Sequence, residues 1–229
     1  MSTILAIESS ASLCSLALSI GDKVFSREQH GQRSHTQFML SFVDELLHEA
    51  NISINDLDAL AFSAGPGSFT GIRLAASTAK ALAFAAQIPV IPVSSLAIMA
   101  QGYYRQEKND SHCLVITDAR MDELYVGRYA LQGLLAQPIA DDALVSMADA
   151  QELAFDTVII GDAEPLLGPM QHFSAADFIS IAAHAIDILP LAQELLLNGE
   201  TETALEAEAI YLRGKDGWKT SAQQLADKT

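Results

Sequence analysis

Short apolar runs separated by small polar turns fill the start of the chain. Residues 4–7 are wholly apolar, residues 13–20 alternate between apolar and small polar side chains, and a third run begins at residue 23 after the turn at Gly21. Alternation of this kind, bounded by turn residues, is typical of strands. The chain is therefore predicted to open with three consecutive strands.

Helical periodicity dominates the stretch that follows. Apolar residues recur at helical spacing over residues 37–50, residues 72–86 are rich in Ala and Leu without Gly or Pro, and residues 94–104 have a third apolar face. Two compact apolar runs, residues 57–62 and 90–93, are predicted to be buried strands between these helices. This order of elements indicates an α/β fold.

A polar break at residues 105–111 is the best position for a domain boundary. We predict an N-terminal lobe at residues 1–108 and a C-terminal lobe with a tail at residues 109–229. Both predicted lobes open with a strand, a short polar turn and a second strand, although they are not repeats in sequence. The fold class is therefore α/β with two lobes.

The second lobe is predicted from the same patterns. A helix is expected at residues 182–197, where Pro190 kinks or divides it, and a short helix at residues 204–210. The tail at residues 215–229, which holds the single Trp218, is expected to be loosely held. Strands are predicted at residues 113–117, 124–131 and 158–162.

A glycine-rich loop joins the strand at residues 57–62 to the helix at residues 72–86. Its sequence, Gly-Pro-Gly-Ser-Phe-Thr-Gly-Ile-Arg, allows close backbone approach, and its hydroxyl side chains can cap the helix. Free N–H groups and the dipole at a helix N-terminus favour an anion such as phosphate or carboxylate. The candidate ligand-binding residues of this anion loop are Gly65, Gly67, Ser68, Thr70, Gly71 and Arg73.

This loop differs from the familiar nucleotide-binding motifs. Its third glycine comes one residue late for a dinucleotide fingerprint, and it has no Gly-Lys-Ser/Thr of a P-loop. No acidic residue ends the strand at residues 90–93, where a ribose would need one. A turn that only joins a strand to a helix is the alternative interpretation, and both stay open.

The balance of charge limits the partners that the chain can hold alone. Asp and Glu number 29 against 13 Lys and Arg, which gives a formal net charge of −16 and a pI of about 4.5. Because nucleic-acid affinity comes largely from neutralised phosphates, we expect RNA binding only where a partner supplies basic surface. Two cysteines, no basic leader and no long apolar span favour a reducing cytoplasm without membrane contact.

Two groups of polar residues are further candidates for function. Asp118 and Arg120 lie in a charged turn, where carboxylates can bind a metal or act as acid and base, and where an Asp–Arg pair can also simply fix the loop. Arg33 and His35 precede a predicted helix, where a cap, a surface role or catalysis is possible. The sequence has no H-E-x-x-H motif and no nucleophile elbow, so no catalytic residue and no metal ligand is assigned.

Two predicted helices have more apolar surface than packing on one sheet requires. The helix at residues 72–86 has a smooth face of small residues, and the helix at residues 37–50 has a wide apolar sector. A tight intramolecular fit and a helix-pair interface with another chain both account for this surface. Under the second interpretation, Phe42→Asp or Ala79→Arg weakens partner binding without unfolding the chain. The candidate interface residues are Phe38, Phe42, Leu46, Ala75, Ala79 and Leu82.

Five motifs, taken in order along the chain, carry a family resemblance. They are Ile4–Ser10, Arg33–Thr36, Gly65–Arg73, Asp118–Tyr125 and Ile210–Arg213. Together they resemble the bacterial TsaB family, also called YeaZ, and the Gly65–Arg73 run is the most specific of them. The resemblance implies the actin-like, sugar-kinase-like and heat-shock-chaperone-like (ASKHA) fold, in which two lobes each contain a mixed sheet flanked by helices.

The resemblance also implies a function. TsaB proteins act with their paralogue TsaD and the ATPase TsaE to transfer a threonylcarbamoyl group from threonylcarbamoyl-AMP to N6 of the adenosine 3′ of the anticodon, in tRNAs that read codons beginning with A. TsaD carries the chemistry and a metal-binding histidine pair, whereas the matching helix here holds Ser95 and Met99. The chain is therefore expected to be a non-catalytic subunit that binds and activates TsaD.

The resemblance also predicts the oligomeric state of the chain and which subunit binds tRNA, ATP and the divalent metal. The chain is expected to form a homodimer when TsaD is missing, and to meet tRNA only within the complex. ATP and a divalent metal are expected in the partner subunits, with no cofactor assigned to this chain.

Two enzymatic functions are the alternatives. A stand-alone small-molecule kinase or ATPase of the ASKHA fold would need acidic magnesium ligands, and Glu8 stands where such enzymes usually carry Asp. A glycoprotease-like metallopeptidase would need the histidine pair that the sequence lacks. Turnover of ATP by the isolated chain would favour the kinase.

Overall fold

The chain folds into strands and helices whose order agrees with the pattern of apolar residues. The computed structural model describes residues 2–30, 35–107, 111–153, 157–163 and 178–213. The strands are β1 (Ile4–Glu8), β2 (Leu13–Ile20), β3 (Lys23–His30), β4 (Ala59–Gly65), β5 (Val90–Ser94), β6 (Ser111–Arg120), β7 (Glu123–Gln132), β8 (Leu135–Pro138), β9 (Ala143–Ser146), β10 (Val158–Gly161) and β11 (Phe178–Ser180). The helices are α1 (His35–Ala50), α2 (Phe69–Ala86), α3 (Ser95–Glu107), α4 (Met147–Leu153) and α5 (Ala185–Asn198), with a 3₁₀ turn at Ile54–Asp56.

Strands β1 to β5 form the first sheet, in the order β3-β2-β1-β4-β5. Strand β1 is central, with Ile4 opposite Ser19 of antiparallel β2 and opposite Ala59 of parallel β4. The predicted opening of three strands is confirmed. Because β1 and β4 run in the same direction, the turn after β1 and the glycine loop after β4 meet at one edge of the sheet.

The described strands of the second half form a second mixed sheet, in the order β11-β10-β6-β7-β8, with β9 pairing to β7. Strand β6 is antiparallel to β7 and parallel to β10, which confirms the three strands predicted here. Strands β8, β9 and β11 and helix α4 were not predicted from the sequence. They are only three to seven residues long, too short to show a clear apolar period.

Helices cover both faces of the first sheet. Helices α1 and α2 pack on its outer face, in a core that includes Phe62 and Ala79. Helices α3 and α5 lie between the two sheets, in a core that includes Ile4 of the first sheet and Tyr129 of the second. Helix α4 packs on the outer face of the second sheet. The predicted fold class, two mixed sheets flanked by helices, is confirmed.

Helix α5 is one continuous helix, although the sequence predicted that Pro190 kinks or divides it. Pro190 lies inside the helix, which ends at Gly199 in a left-handed cap with φ +76°. Pro190 removes one backbone donor, and the buried face that contains Ile188, Leu191 and Ala192 holds the helix together. None of the described helices combines the length and apolar character needed to cross a membrane.

Residues 199–213, called the strap below, return to the first lobe. The prediction of a helix at residues 204–210 is wrong, because the strap forms a turn at residues 204–206 and irregular backbone at residues 207–210. Its backbone bonds the first lobe instead: Glu202 pairs with Val90, and the Ile210 N–H donates to the Ala64 carbonyl at 2.7 Å. These bonds satisfy backbone groups that a helix would have paired internally.

Helix α5 and the strap follow the second sheet in sequence, yet both pack against the first sheet. An ion pair joins helix α3 of the first half of the chain to helix α5 of the second half. Arg105 of α3 donates to the carboxylate of Asp187 of α5 at 2.6 and 3.0 Å. The Asp187 side chain is only 1% exposed. The first sheet is formed by residues 4–94 and the second by residues 111–180, and they share the core between them, so the division into lobes at residue 108 stays a prediction.

Candidate functional site: the cleft between the lobes

A cleft of about 390 Å³ opens where the ends of the central strands of both sheets face each other. The first lobe contributes the turn after β1, the glycine loop and Met99 of α3, and the second contributes the ends of β6 and β10 and part of β7. The lining residues are Ser10, Ala11, Ser12, Pro66, Gly67, Ser68, Phe69, Met99, Thr117, Asp118, Ala119, Arg120, Tyr125 and Asp162. Its volume lies in the usual range of small-molecule sites, roughly 300–1,000 Å³.

The glycine loop ends in a capped helix, as predicted. Helix α2 begins at Phe69, three residues earlier than predicted, because Ser68 is its N-cap and the Ser68 hydroxyl accepts the Gly71 N–H at 3.4 Å. Thr70 lies in the first turn and is exposed. The N-terminal end of an 18-residue helix therefore faces the cleft at Ser68 and Phe69.

The glycines of this loop are required by contact with the turn after β1. A Cβ at Gly67 would lie 2.5 Å from the Ser10 carbonyl oxygen, and a Cβ at Gly71 would lie 1.8 Å from that of Ser9. Hydrogen bonds lock the same contact, since the Ser68 N–H donates to the Ser10 carbonyl and the Ser9 hydroxyl donates to the Gly71 carbonyl. Close packing of the glycine loop against the turn after β1 is therefore enough to explain why glycine is needed at residues 67 and 71, and no ligand has to be invoked.

Glu8 is buried beneath the turn after β1. One of its carboxylate oxygens accepts the Ser10 N–H at 2.5 Å and the Ser10 hydroxyl at 2.6 Å. Its other oxygen has no hydrogen-bond partner among the residues that the structure describes. Burial raises the pKa of Glu8, and the bonds from Ser10 offset only part of this effect.

We expect Glu8 to make stability depend on pH. Because its pKa is higher in the folded than in the unfolded chain, the stability of the wild type falls as pH rises from about 4.5 through the raised value. Glu8→Gln carries no titrating group at this position, so its free energy of unfolding should improve relative to the wild type as pH rises across this window. Urea unfolding at several pH values measures the difference.

Exchange of an exposed carboxylate, Glu107→Gln, provides the matched control and is expected to follow the wild-type curve. A constant difference between Glu8→Gln and the wild type at every pH would contradict the assignment.

The second lobe supplies a charged wall. Arg120 forms an ion pair with Asp118 at 2.7 Å, and its N–H donates to the same carboxylate at 2.7 Å. The interpretation that this pair fixes the turn is therefore supported. Arg120, Met121 and Asp122 all adopt positive φ, between 57° and 66°, and the turn is held by Arg213 of the strap. Arg213 donates to the Ala119 carbonyl at 3.1 Å and pairs with Glu123.

Two further side chains complete this wall. Asp162 is exposed, but neighbouring protein atoms remove part of the hydration of its carboxyl and raise its pKa, an effect that the positive charge of Arg120 reduces. The N–H of Asp118 donates to it and lowers the pKa in part. Thr117 is only 6% exposed, and its hydroxyl has no partner among the described residues. Neither residue was predicted from the sequence as a site residue, although the strand that ends in Gly-Asp at residue 162 was a usable signal.

Comparisons with known proteins place the chain in a family. The family model described as TsaD: tRNA N6-adenosine threonylcarbamoyltransferase matches residues 24–203. The tRNA threonylcarbamoyladenosine biosynthesis protein TsaB of Haemophilus influenzae is 34% identical, and the alignment covers 95% of this chain and 96% of that protein. The chain belongs to the TsaB family. The Escherichia coli protein of the same name is 33% identical over 94% of this chain and 96% of its own length.

A solved structure agrees with this assignment. YeaZ from Pseudomonas aeruginosa superposes with a TM-score of 0.83 at 34% identity, covering 93% of this chain and all of that one. The resemblance to the TsaB family is therefore confirmed, and the two-sheet α/β fold is that of this solved structure.

Residues of the TsaB motifs meet at the cleft. Gly67 and Ser68 of the predicted anion loop lie on one wall, and Asp118 and Arg120 lie on the other. Arg33 and the side chain of His35 lie outside the described residues. The sequence therefore identified residues on both walls of one site, although they are far apart along the chain.

Arg73, Thr70 and Gly65 of the predicted loop do not line the cleft of this TsaB-family chain. Arg73 stacks on the Phe69 ring at 3.8 Å and donates to the Tyr211 hydroxyl at 3.1 Å. Gly65 is buried against the strap, with φ +112° and the Ile210 carbonyl 2.7 Å from where its Cβ would lie. Arg73 and Gly65 thus contact the strap, and Thr70 is exposed outside the lining of the cleft.

Most of the predicted partner-interface residues belong to the core of the TsaB-family fold. The tight intramolecular fit accounts for them, because one side of each helix is pressed against the first sheet. Leu46, Ala75 and Ala79 are fully buried, and Phe42 is 8% exposed. Phe38 and Leu82 are half-buried at the edge of the same core. A partner can reach only the opposite sides of α1 and α2.

Proposed function

We propose that this chain is a non-catalytic subunit in the synthesis of threonylcarbamoyladenosine in tRNA, and that it acts by binding and activating a catalytic subunit of the TsaD type. Similarity along nearly the whole chain to relatives named for this pathway carries the proposal. The match to the TsaD family model supports a paralogous partner, because paralogous folds can pair through equivalent surfaces.

The outward side of helix α2 is the surface that we propose for the partner. Helix α2 contains no Asp or Glu over 18 residues, in a chain that has 29 of them. Its exposed positions recur at helical spacing along one stripe. The stripe consists of Thr70, Arg73, Ser77, Ala81 and Phe84, and Ala85 is exposed beside its last position. A surface helix that faces only water normally carries more charge, so this stripe suits a protein partner.

The side chains along this stripe fit close packing against another helix. Ser77 and Ala81 are small and exposed at its centre, which lets a second helix approach. Phe84 is 65% exposed at one end, and Leu40 of α1, on the same outer face of the sheet, is 61% exposed. Burying each of these two side chains against a partner would contribute on the order of 2 kcal/mol.

The partners would supply what this chain lacks. With a net charge of −16, the chain alone repels the phosphates of tRNA, so tRNA would be held by the assembly. ATP and the divalent metal would be bound by TsaD and TsaE. The same outward stripe would form a homodimer when TsaD is missing, and the assembly would work in the cytoplasm.

We expect Ala81→Arg to separate folding from partner binding. A long charged side chain at this exposed position would block close helix packing without entering the core, so affinity for the TsaD-type subunit should fall at least tenfold, equivalent to about 1.4 kcal/mol. Calorimetric titration of the two purified subunits measures this change. Activity in the reconstituted modification reaction should fall in parallel.

Leu197→Arg is the matched control, since Leu197 is 71% exposed on helix α5, away from α2. It should bind and activate like the wild type. Wild-type affinity of Ala81→Arg would reject this surface, and full tRNA modification by TsaD and TsaE without the chain would reject the function itself.

A further inference from the structure

Met121 is the most exposed methionine in the described part of the chain. It lies at the tip of the turn between β6 and β7 and is 49% exposed, whereas Met39 and Met99 are at most 2% exposed. Met147 is partly buried against the core of the second sheet. Because an oxidant must reach the sulfur atom to react with it, the Met121 thioether is the methionine sulfur of this group that should react first.

The two cysteines of the chain are protected from the same oxidants. Cys14 and Cys113 are both buried, and burial raises the pKa of the Cys14 thiol to about 11 and that of the Cys113 thiol to about 12. The thiolate is the reactive form of cysteine, so both side chains are almost entirely in the unreactive thiol form near neutral pH. A peroxide that meets this chain is therefore directed to Met121.

The Met121 sulfur lies against the guanidinium group that holds its turn. Arg213 of the strap donates to this sulfur at 3.8 Å. The same guanidinium donates to the carbonyl oxygens of Ala119 and Arg120 at 3.1 and 3.4 Å. It also pairs with Glu123, and the Arg213 side chain is only 13% exposed. A thioether sulfur is a weak acceptor, so it is the weakest partner that Arg213 has in this group.

The turn depends on this support from the strap. Met121 and Asp122 are the central residues of the hairpin, and both adopt positive φ, as Arg120 does beside them. Side chains other than Gly, Asn and Asp adopt this conformation only at a cost in free energy. Asp118 and Arg120 of the same turn line the cleft. The bonds that Arg213 makes therefore determine how firmly one wall of the cleft is held.

We propose that Met121 is a redox-sensitive modification site that sets how firmly the strap holds this turn. The oxidant is hydrogen peroxide. Its O–O bond breaks as one oxygen atom forms a bond to the thioether sulfur, and the proton on that oxygen moves to the departing hydroxide, which leaves as water. The sulfur is oxidised to the sulfoxide and the peroxide is reduced.

The sulfoxide changes the bond to Arg213. Its oxygen is a polar acceptor beside a guanidinium that has N–H groups to donate, so a charge-assisted hydrogen bond replaces a weak bond to sulfur. The turn between β6 and β7 is then held more firmly than in the reduced chain. Methionine sulfoxide reductases, which act on the two sulfoxide epimers, return the turn to its first state.

Peptide mass spectrometry of the full chain after timed exposure to dilute hydrogen peroxide tests the site. Met121 should be oxidised faster than Met39 and Met99, by about tenfold or more, because those two side chains are buried. The two reductases together should remove the added oxygen. Oxidation of Met39 or Met99 at the same rate as Met121 in the folded chain would overturn the proposal.

Amide hydrogen exchange at residues 119–122 tests the effect on the turn. Oxidation should slow exchange there by about threefold or more, and Met121→Gln, whose amide oxygen replaces that of the sulfoxide, should slow it without oxidant. Met121→Leu has no acceptor and is the matched control, so peroxide should not change its exchange.

Arg213→Leu separates the bond to the strap from other effects of the sulfoxide, since oxidation of this variant should no longer slow exchange. Unchanged or faster exchange in the oxidised wild type contradicts the proposal, and so does slowing that persists in Arg213→Leu. These measurements use the chain without its partner, so their failure leaves the proposed role beside TsaD standing.

Discussion

Gly71→Ala is expected to lower the free energy of unfolding by about 3 kcal/mol, a large fraction of the stability of a typical domain. The added Cβ would lie 1.8 Å from the Ser9 carbonyl oxygen, which is backbone and cannot rotate away. Either the turn after β1 or the start of α2 must move, and the bond from the Ser9 hydroxyl to the Gly71 carbonyl is then lost. Urea unfolding followed by circular dichroism measures the effect.

Gly133→Ala is the matched control for this variant. Gly133 has a positive φ of 63°, but a Cβ there meets nothing within 4 Å. Its cost should be limited to backbone strain, about 1 kcal/mol. If Gly71→Ala destabilises the chain no more than Gly133→Ala does, the close contact between the two loops is not present in solution.

Ala79→Arg is expected to prevent folding, with a loss of more than about 4 kcal/mol. Ala79 is fully buried where α2 packs against the first sheet. The guanidinium of an Arg there would have no space and would be surrounded by apolar side chains. Phe42→Asp should act in the same direction, because Phe42 is 8% exposed in the same core. Thermal unfolding and the yield of soluble protein measure both effects.

The contrast with Ala81→Arg makes this result decisive. Residue 81 lies two positions further along the same helix but is exposed, so its stability should stay within about 0.5 kcal/mol of the wild type. The apolar pattern alone predicted that Ala79→Arg would spare the fold, and the complete burial of Ala79 contradicts that prediction. A folded Ala79→Arg protein with weakened TsaD binding would restore the original assignment.

The difference between residues 79 and 81 also shows what the sequence could predict. Strong apolar periods identified the four longest of the described helices and the central strands of both sheets. Helix α2, however, is rich in alanine on every side, so its period does not distinguish the face toward the sheet from the face toward solvent. Only the position of the sheet determines that Ala79 is inside and Ala81 is outside.

The sequence predicted only part of the candidate site, again because contacts between distant parts of the chain decide which residues lie there. The glycine loop and the Asp118–Arg120 turn were identified because each follows a predicted strand, and both lie on the cleft. The sequence around Thr117 and Asp162 contains no motif that marks them as site residues. They line the cleft only because the fold brings them opposite residues that are far away in sequence. The strap was mistaken for a helix because its backbone partners, Val90 and Ala64, are more than a hundred residues away.

The return of the last elements to the first sheet has a consequence for synthesis of the protein. The inner face of β1, including Ile4 and Ala6, shares its core with Ile188 and Ala192 of α5. While a ribosome has released only the opening half of the polypeptide, α3 is the only one of the two helices between the sheets that can cover that face, and the part that α5 covers exposes apolar surface to solvent. The earliest strand to emerge is thus completed by one of the last helices, so a truncated translation product leaves an aggregation-prone, unfinished sheet.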